Sequence, residues 1–86
     1  MVEIKEIIWT QKFEDEFKKV KDASVKERVK KQIEKIIINP EVGKPLRFGL
    51  KGERTVYIKP FRLIYSFIDD KLYLLRFEHR KKVYRI

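Results

Sequence analysis

The amino-acid sequence predicts an α+β domain in which an N-terminal strand and an α-helical hairpin pack on one face of an antiparallel sheet of four to five strands. Apolar residues recur at helical spacing between residues 10 and 38, whereas apolar and polar residues alternate after residue 54. A glycine-rich stretch with a proline separates the two patterns. Because the helices precede the strands instead of alternating with them, the pattern favours an α+β arrangement. At 86 residues the chain is sized for a single domain, 1–86.

The first strand and the first helix are predicted from residues 2–8 and from the segment that follows. Residues 2–8 alternate moderately between apolar and charged side chains, as a half-buried strand does. Thr10 is a suitable N-cap for a helix that extends to about Lys21. The apolar residues of this helix lie at helical spacing and predict one core-facing stripe: Phe13, Phe17 and Val20.

The second helix is predicted from a capping box and a longer apolar stripe. Ser24 and Glu27, three residues apart, form the capping-box pattern. Asn39-Pro40 ends the helix, since the residue before a proline disfavours helical backbone angles. The apolar stripe comprises Val25, Val29, Ile33, Ile36 and Ile37.

The second half of the chain predicts a run of antiparallel strands after a loop at residues 41–52. Lys59-Pro60 and Asp69-Asp70 have the composition of tight turns. The segments that alternate with a period of two are 55–58, 61–68, 72–77 and a short closing strand at 83–85.

The positive charge of the chain is concentrated in the part predicted to form the sheet. The formal net charge is +9, and residues 46–86 hold 11 Lys and Arg against 4 Asp and Glu, whereas residues 1–45 hold 11 against 9. A basic sheet face favours a polyanionic partner such as nucleic acid. A solvated surface that only maintains solubility is the alternative interpretation.

The composition excludes several classes of chemistry. The absence of cysteine excludes disulfides and thiolate catalysis, and a single histidine, His79, cannot build a multi-histidine metal site. No acidic residue of the second half pairs with His79 at ligand spacing, so we expect neither a metal nor another cofactor. Without a membrane-length apolar run or a leader segment, the chain is expected to be soluble and cytoplasmic, with no membrane partner.

Two groups of residues could carry chemistry on the sheet face that the helices leave free. Arg62 lies in the middle of a predicted strand, and we expect it on this face together with Arg76 and Tyr57. A strand arginine can either bind a phosphate or simply pair with a neighbouring carboxylate, and both interpretations remain open.

The C-terminal segment 79–85 combines a histidine, several cations and a tyrosine. An RNA-cleaving site needs groups that hold a phosphate, stabilise its added charge and orient a base, and these residue types can do so. A solvated basic tail is the alternative.

The segments VYIKPFRLIY (56–65) and HRKKVYRI (79–86), with Leu50-Lys51-Gly52 upstream, resemble the RelE/ParE toxin superfamily. The resemblance covers almost the whole chain, and the helical hairpin after a first strand fits the family fold. It implies a toxin of a type II toxin–antitoxin system that cleaves messenger RNA at the ribosome without a metal, through attack of the ribose 2′-hydroxyl on the adjacent phosphate. It also implies a cognate antitoxin as partner in a hetero-oligomer.

The resemblance further implies the roles of single residues. Arg62 matches an arginine that stabilises the transition state, and Arg80 matches one that supports the transition state or the leaving group. Tyr84 matches a tyrosine that orients or stacks on the base or transfers a proton, and His79 is a candidate general acid or base. Other residues of the second half are expected to bind RNA: Lys51, Arg54, Tyr57, Lys59, Arg76, Lys81, Lys82 and Arg85.

At one point the chain departs from the RelE branch. Thr55 and Tyr57 stand where that branch carries two basic residues, which leaves proton transfer to His79 or Tyr84. Two alternatives therefore stand beside the nuclease: a ParE-like inhibitor of DNA gyrase, and a non-catalytic relative that only binds its antitoxin.

Overall fold

The computed structural model describes residues 4–46 and 52–80. Within these segments the elements are β1 (Glu6–Trp9), α1 (Gln11–Lys18), α2 (Ala23–Ile38), β2 (Lys44–Pro45), β3 (Glu53–Ile58), β4 (Phe61–Ile68) and β5 (Lys71–His79). Several predictions lie outside the described residues, namely the closing strand at 83–85 and the site residues Lys51, Lys81, Lys82, Tyr84 and Arg85.

The five strands form one sheet with the order β1-β5-β4-β3-β2. β3 pairs antiparallel with β2 and β4, and β4 pairs antiparallel with β5, whereas β1 runs parallel to β5. The predicted α+β class is confirmed, but the sheet is mixed instead of wholly antiparallel. Alternation with a period of two shows that a segment is extended and carries no information on strand direction.

The helix boundaries follow from the side chains that cap them. Thr10 caps α1 as predicted, and its Oγ1 accepts a hydrogen bond from the Phe13 N–H at 3.3 Å. The cap of α2 is Asp22, because its carboxylate accepts bonds from both the N–H and the hydroxyl of Ser24 at 2.8 Å. The prediction of Ser24 as cap was therefore wrong by two residues. Asn39 ends α2, as predicted.

The sequence predicted the turn between β4 and β5 correctly and the segment between α2 and β3 incompletely. The tight turn at Asp69 and Asp70 is confirmed, and both residues have positive φ angles of 51° and 66°, the left-handed conformation that two-residue hairpins require. The segment predicted as a loop at 41–52 contains the short strand β2, whose Lys44 and Pro45 pair with β3. A two-residue strand is too short to show a period in the sequence.

The hydrophobic core lies between the helices and one face of the sheet. Phe13 of α1 and Ile36 of α2 are fully buried, in the same cluster as Leu63 and Tyr65 of β4. The Phe13 ring lies 6.0 Å from the ring of Phe77 on β5, edge to face. Aromatic rings in this arrangement stabilise the contact between the helix and the sheet beyond their buried area.

The opposite face of the sheet, which we call the outer face, carries the alternate side chains of the central strands. Leu63 and Phe77 are direct neighbours across β4 and β5 and belong to the core. The adjacent row along the same strands consists of Tyr57, Arg62 and Glu78. Because successive side chains point to opposite faces, this row lies on the outer face.

Candidate functional site

The centre of the candidate site is the row of three outer-face residues on three neighbouring strands. Tyr57 of β3 pairs with Arg62 of β4, and Arg62 pairs with Glu78 of β5. Directly opposite residues in antiparallel strands have Cβ atoms about 5 Å apart, so Arg62 is within reach of both Tyr57 and Glu78, which flank it. Tyr57 is 47% exposed, which leaves its ring available to a ligand.

Arg80 joins this row from the residue that follows β5. Its guanidinium lies 5.2 Å from the centre of the Tyr57 ring, and its N–H donates a 2.9 Å hydrogen bond to the carbonyl of Pro60. A guanidinium over an aromatic face is a favourable contact. Arg62 and Arg80, which the sequence predicted to act together, therefore lie on the same face of the sheet, Arg62 as the register neighbour of Tyr57 and Arg80 over its ring.

Arg62 is held by a carboxylate that the sequence analysis did not assign. Its Nη2 donates to Oε1 of Glu78 at 3.2 Å, and the two side chains are 13% and 12% exposed. The Nε of Arg62 is buried and has no hydrogen-bond partner among the described residues. The ion pair therefore satisfies only part of the hydrogen-bonding capacity of Arg62. A buried donor without a partner in a folded protein calls for an explanation, and a bound ligand is one such explanation.

Arg76 connects the outer face to the first helix. Its Nη2 donates to Oε2 of Glu78 at 2.8 Å, and its Nε and Nη2 both donate to the Glu16 carboxylate of α1 at 3.2 Å. These bonds and the nearby carboxylates raise the pKa of the Arg76 guanidinium above its usual value. Glu16 also accepts a bond from the Phe77 N–H at 2.9 Å. Arg76 is therefore occupied by structural contacts, which limits its predicted role in binding RNA.

His79 lies on the other side of the sheet from Arg62. It follows Phe77 by two residues on β5, so the alternation directs its ring toward the helices. The ring packs edge to face against Phe61 at 5.5 Å. The expectation that His79 and Arg62 form one site is not met by this arrangement, because one step along a strand changes the face.

Arg54 and Lys59 occupy two different environments. Arg54 donates to the carbonyl of Gly43 at 2.7 Å and to that of Glu41 at 3.3 Å, so it braces the loop between α2 and β2. Lys59 is exposed in the turn between β3 and β4, two residues from Tyr57. Of these two predicted RNA-binding residues, only Lys59 is close to the outer-face row in sequence and open to solvent.

A cleft of about 600 Å³ lies on the helix side of the sheet, where α1 meets the end of β5. Among the residues that line it are Lys12, Lys19, Lys21, Phe61 and His79. The part of the chain that the structure describes contains no group of three or more His, Cys, Asp or Glu residues arranged to hold a metal ion.

Glu78 and Glu16 are the residues of this site that the sequence analysis missed. The alternation of β5 places Glu78 on the same face as Arg76, and this signal was present in the sequence. Its contact with Arg62 depends on the register between β4 and β5, which contains an irregularity after Ile64. No local pattern predicts the contact of Glu16 with a strand 60 residues later in the chain.

Comparison with protein families matches residues 7–84 to the ParE toxin of type II toxin–antitoxin systems. Because this match spans nearly the whole chain, the protein belongs to that family and is a toxin of a type II toxin–antitoxin system, within the RelE/ParE superfamily. No curated protein sequence matches the chain significantly.

Solved structures of other toxins share the fold. The RelBE2 toxin–antitoxin complex of Mycobacterium tuberculosis matches with a TM-score of 0.70 and 26% identity, over 86% of this chain and 95% of that chain. The Escherichia coli RelBE complex matches with a TM-score of 0.73 and 17% identity, over 85% and 93%. The E. coli DinJ–YafQ complex matches with a TM-score of 0.69 and 20% identity, over 92% and 96%. At this level of identity the last two matches support the fold alone.

None of the helices in residues 4–46 and 52–80 is both long and apolar enough to cross a lipid bilayer.

Proposed function

We propose that this toxin is an endoribonuclease that cleaves messenger RNA at the ribosome, without a metal, through attack of the ribose 2′-hydroxyl on the adjacent phosphate. The observation that carries the proposal is the position of two arginines beside Tyr57 on the outer face: Arg62 lies directly opposite Tyr57 in the strand register, and the Arg80 guanidinium lies over the Tyr57 ring. Two permanently charged guanidinium groups beside an aromatic ring match a phosphodiester flanked by a nucleobase.

The chemistry of the reaction explains why arginines are suited to this site. When the 2′-oxygen attacks, the phosphorus gains a fifth oxygen ligand and its equatorial oxygens gain negative charge. A planar guanidinium donates to two of these oxygens at once and stays protonated throughout. Donors already in place when this charge develops lower the barrier most.

The proposal includes a cognate antitoxin as partner in a hetero-oligomer in the cytoplasm. The matching RelBE2, RelBE and DinJ–YafQ structures are toxin–antitoxin complexes. The net charge of +9 favours an acidic partner segment that covers the outer face, and the same charge favours ribosomal and messenger RNA when the antitoxin is absent.

A second candidate is inhibition of DNA gyrase. It is favoured by the family match to the ParE toxin and by the pairing of Arg62 with Glu78, which partly neutralises the arginine proposed to bind phosphate. Mapping of transcript ends in expressing cells separates the two candidates. New 5′ ends within coding regions support the nuclease, whereas intact messages with an induced DNA-damage response support gyrase as target.

The first prediction concerns the two arginines. Arg62→Ala and Arg80→Ala should each lower the rate of message cleavage by about 10²- to 10³-fold, the usual effect of removing one charge-stabilising donor, and should relieve growth arrest. Primer extension on a defined message in a translating extract measures the rate, and colony formation measures the toxicity.

Lys30→Ala is the matched control, because it removes one positive charge from the exposed side of α2. It should leave cleavage and toxicity unchanged. Cleavage that persists in both arginine variants would refute the site. A wild-type chain that is soluble, cleaves nothing and does not arrest growth without an antitoxin would support a non-catalytic relative.

A further inference from the structure

The proposed reaction needs a group that removes the proton from the 2′-hydroxyl, and the outer face limits the choice. Arginine stays protonated in proteins and cannot serve as a base. His79 lies on the helix side of the sheet, where its ring packs against Phe61. The remaining proton acceptors on the outer face, among the described residues, are carboxylates.

The two strands that flank β4 place two carboxylates on the outer face, at different distances from Arg62. Glu78 is directly opposite Arg62 in the register, with a contact of 3.2 Å. Glu53 pairs with Ser66, which is four residues further along β4. With a rise of about 3.3 Å per residue, Glu53 starts about 13 Å from Arg62 along the strand. Of these two carboxylates, Glu78 is the one within hydrogen-bond reach of a ribose whose phosphate is held by Arg62.

We propose that Glu78 is a catalytic residue that accepts the proton of the attacking 2′-hydroxyl, an inference that rests on the proposed nuclease function. The proton passes from O2′ to the Glu78 carboxylate as the bond between O2′ and phosphorus forms. The bond between phosphorus and O5′ breaks, and the departing oxygen takes a proton from water. Glu78 then returns its proton to the solvent, so the products are a 2′,3′-cyclic phosphate and a 5′-hydroxyl, with no net consumption of water.

The hydrogen bonds of Glu78 are compatible with this role. Each carboxylate oxygen accepts one bond, Oε1 from Arg62 and Oε2 from Arg76. An ionised carboxylate offers about four acceptor positions, so capacity remains for a hydroxyl. The two arginines also fix the orientation of the carboxylate beside the guanidinium that would hold the phosphate. In the free protein, the same contacts make Glu78 the group that occupies Arg62 before substrate arrives.

The test separates proton transfer from a purely structural ion pair by measuring rate and binding independently. Glu78→Gln keeps the shape and one acceptor oxygen but removes the basic carboxylate. Single-turnover cleavage in a translating extract gives the rate. Binding of an oligonucleotide with 2′-deoxyribose at the mapped cleavage site gives the affinity without cleavage. Glu78→Asp restores a carboxylate on a shorter stem, and Glu14→Gln removes one negative charge from the exposed side of α1 as a control.

If Glu78 accepts the proton, Glu78→Gln should lower the cleavage rate by about 10²- to 10⁴-fold, the usual contribution of a general base, while the affinity stays the same or increases. Glu78→Asp should recover a measurable part of the rate, and Glu14→Gln should cleave as the wild type does. Urea denaturation checks that each variant folds. If Glu78→Gln does not fold, Glu78→Asp serves as the test. A Glu78→Asp variant that cleaves more slowly with unchanged affinity supports the proposal, and one that cleaves at the wild-type rate refutes it.

Two results would overturn the assignment while leaving the nuclease intact. One is a folded Glu78→Gln chain that cleaves at the wild-type rate. The other is an equal loss of rate and affinity that Glu78→Asp does not restore, which would indicate a structural ion pair. A wild-type chain that produces no cleavage would instead refute the proposed function, and with it the role of Glu78.

Discussion

At the scale of single residues, the site is defined by charges that lie next to each other on different strands. The sequence left two interpretations of Arg62, a phosphate ligand or a partner of a carboxylate, and the structure contains the carboxylate partner. These interpretations are compatible, because Glu78 engages one Nη atom of Arg62, and the Nε has no hydrogen-bond partner among the described residues. The ion pair can therefore hold Arg62 in place without consuming its capacity to bind an anion.

Tyr57 provides a prediction at this scale. An aromatic ring has two faces, and Arg80 lies over one of them. If the ring also stacks on a base, Tyr57→Ala should weaken binding of the 2′-deoxy oligonucleotide by about 1–3 kcal/mol, which is the usual value for one stacked base. Fluorescence anisotropy with a labelled oligonucleotide measures the change.

Tyr57→Phe is the control for this experiment, since it keeps the ring and removes the hydroxyl. It should bind about as tightly as the wild type. An alanine variant with unchanged affinity would show that the ring supports Arg80 and does not contact the nucleic acid.

At the scale of elements, Tyr65 joins the central strand β4 to the loop that leads from α2 into β2. Its hydroxyl donates to the carbonyl of Pro40 at 2.6 Å and accepts from the N–H of Gly43 at 2.9 Å. A Cβ atom at Gly43 would lie 2.7 Å from the same hydroxyl, so this close approach requires glycine. Tyr65 itself is fully buried.

Tyr65→Phe should destabilise the protein, because it leaves a buried N–H and a buried carbonyl without their partner. Each group left unsatisfied costs about 1–3 kcal/mol, and we expect a total loss in that range because the loop can partly relax. Urea denaturation near neutral pH measures the free energy of unfolding. Tyr73→Phe, at a half-buried position on β5, is the control and should cost less.

The pH dependence of this effect follows from the burial of Tyr65. Burial raises the pKa of its phenol above the usual 10.0, so the folded protein resists ionisation more than the unfolded chain does. The stability that depends on neutral Tyr65 is fully present below about pH 10 and is lost as the pH rises through the elevated pKa. The difference in unfolding free energy between wild type and Tyr65→Phe should therefore shrink in strongly alkaline solution. A constant difference would contradict this.

At the scale of the whole molecule, the excess positive charge governs association with nucleic acid. The net charge is +9, and the second half of the chain contributes most of it. The affinity for RNA should therefore fall as salt concentration rises, since each neutralised phosphate releases a counterion.

Arg80→Ala tests whether this arginine contacts a phosphate. The slope of log K against log salt concentration should become less steep by about 0.7, the value for one phosphate contact on a single strand. Anisotropy titrations of the 2′-deoxy oligonucleotide at several salt concentrations give the slope. Lys30→Ala should leave it unchanged, whereas an unchanged slope for Arg80→Ala would mean that Arg80 binds no phosphate.

Part of the fold and part of the candidate site could be predicted from the sequence. The turn at Asp69-Asp70, the two helices and the outer-face position of Arg62 follow from local patterns, and the structure contains them. The side of the sheet on which His79 lies was not predicted, although it follows from the same alternation once the strand is known to extend to residue 79. The predicted strand ended at Phe77, two residues before the observed end at His79, so the alternation was not extended to the histidine.

The α+β class, the helical hairpin, the alternating strands and the concentration of positive charge in the second half follow from the sequence, because each depends on residues close together in the chain. The parallel pairing of β1 with β5, the contact of Glu78 with Arg62 and the contact of Glu16 with Arg76 follow from the folded structure instead. Those contacts depend on which strands pair and in which register. Packing of the whole core selects that register, and a pattern of local spacing does not contain it.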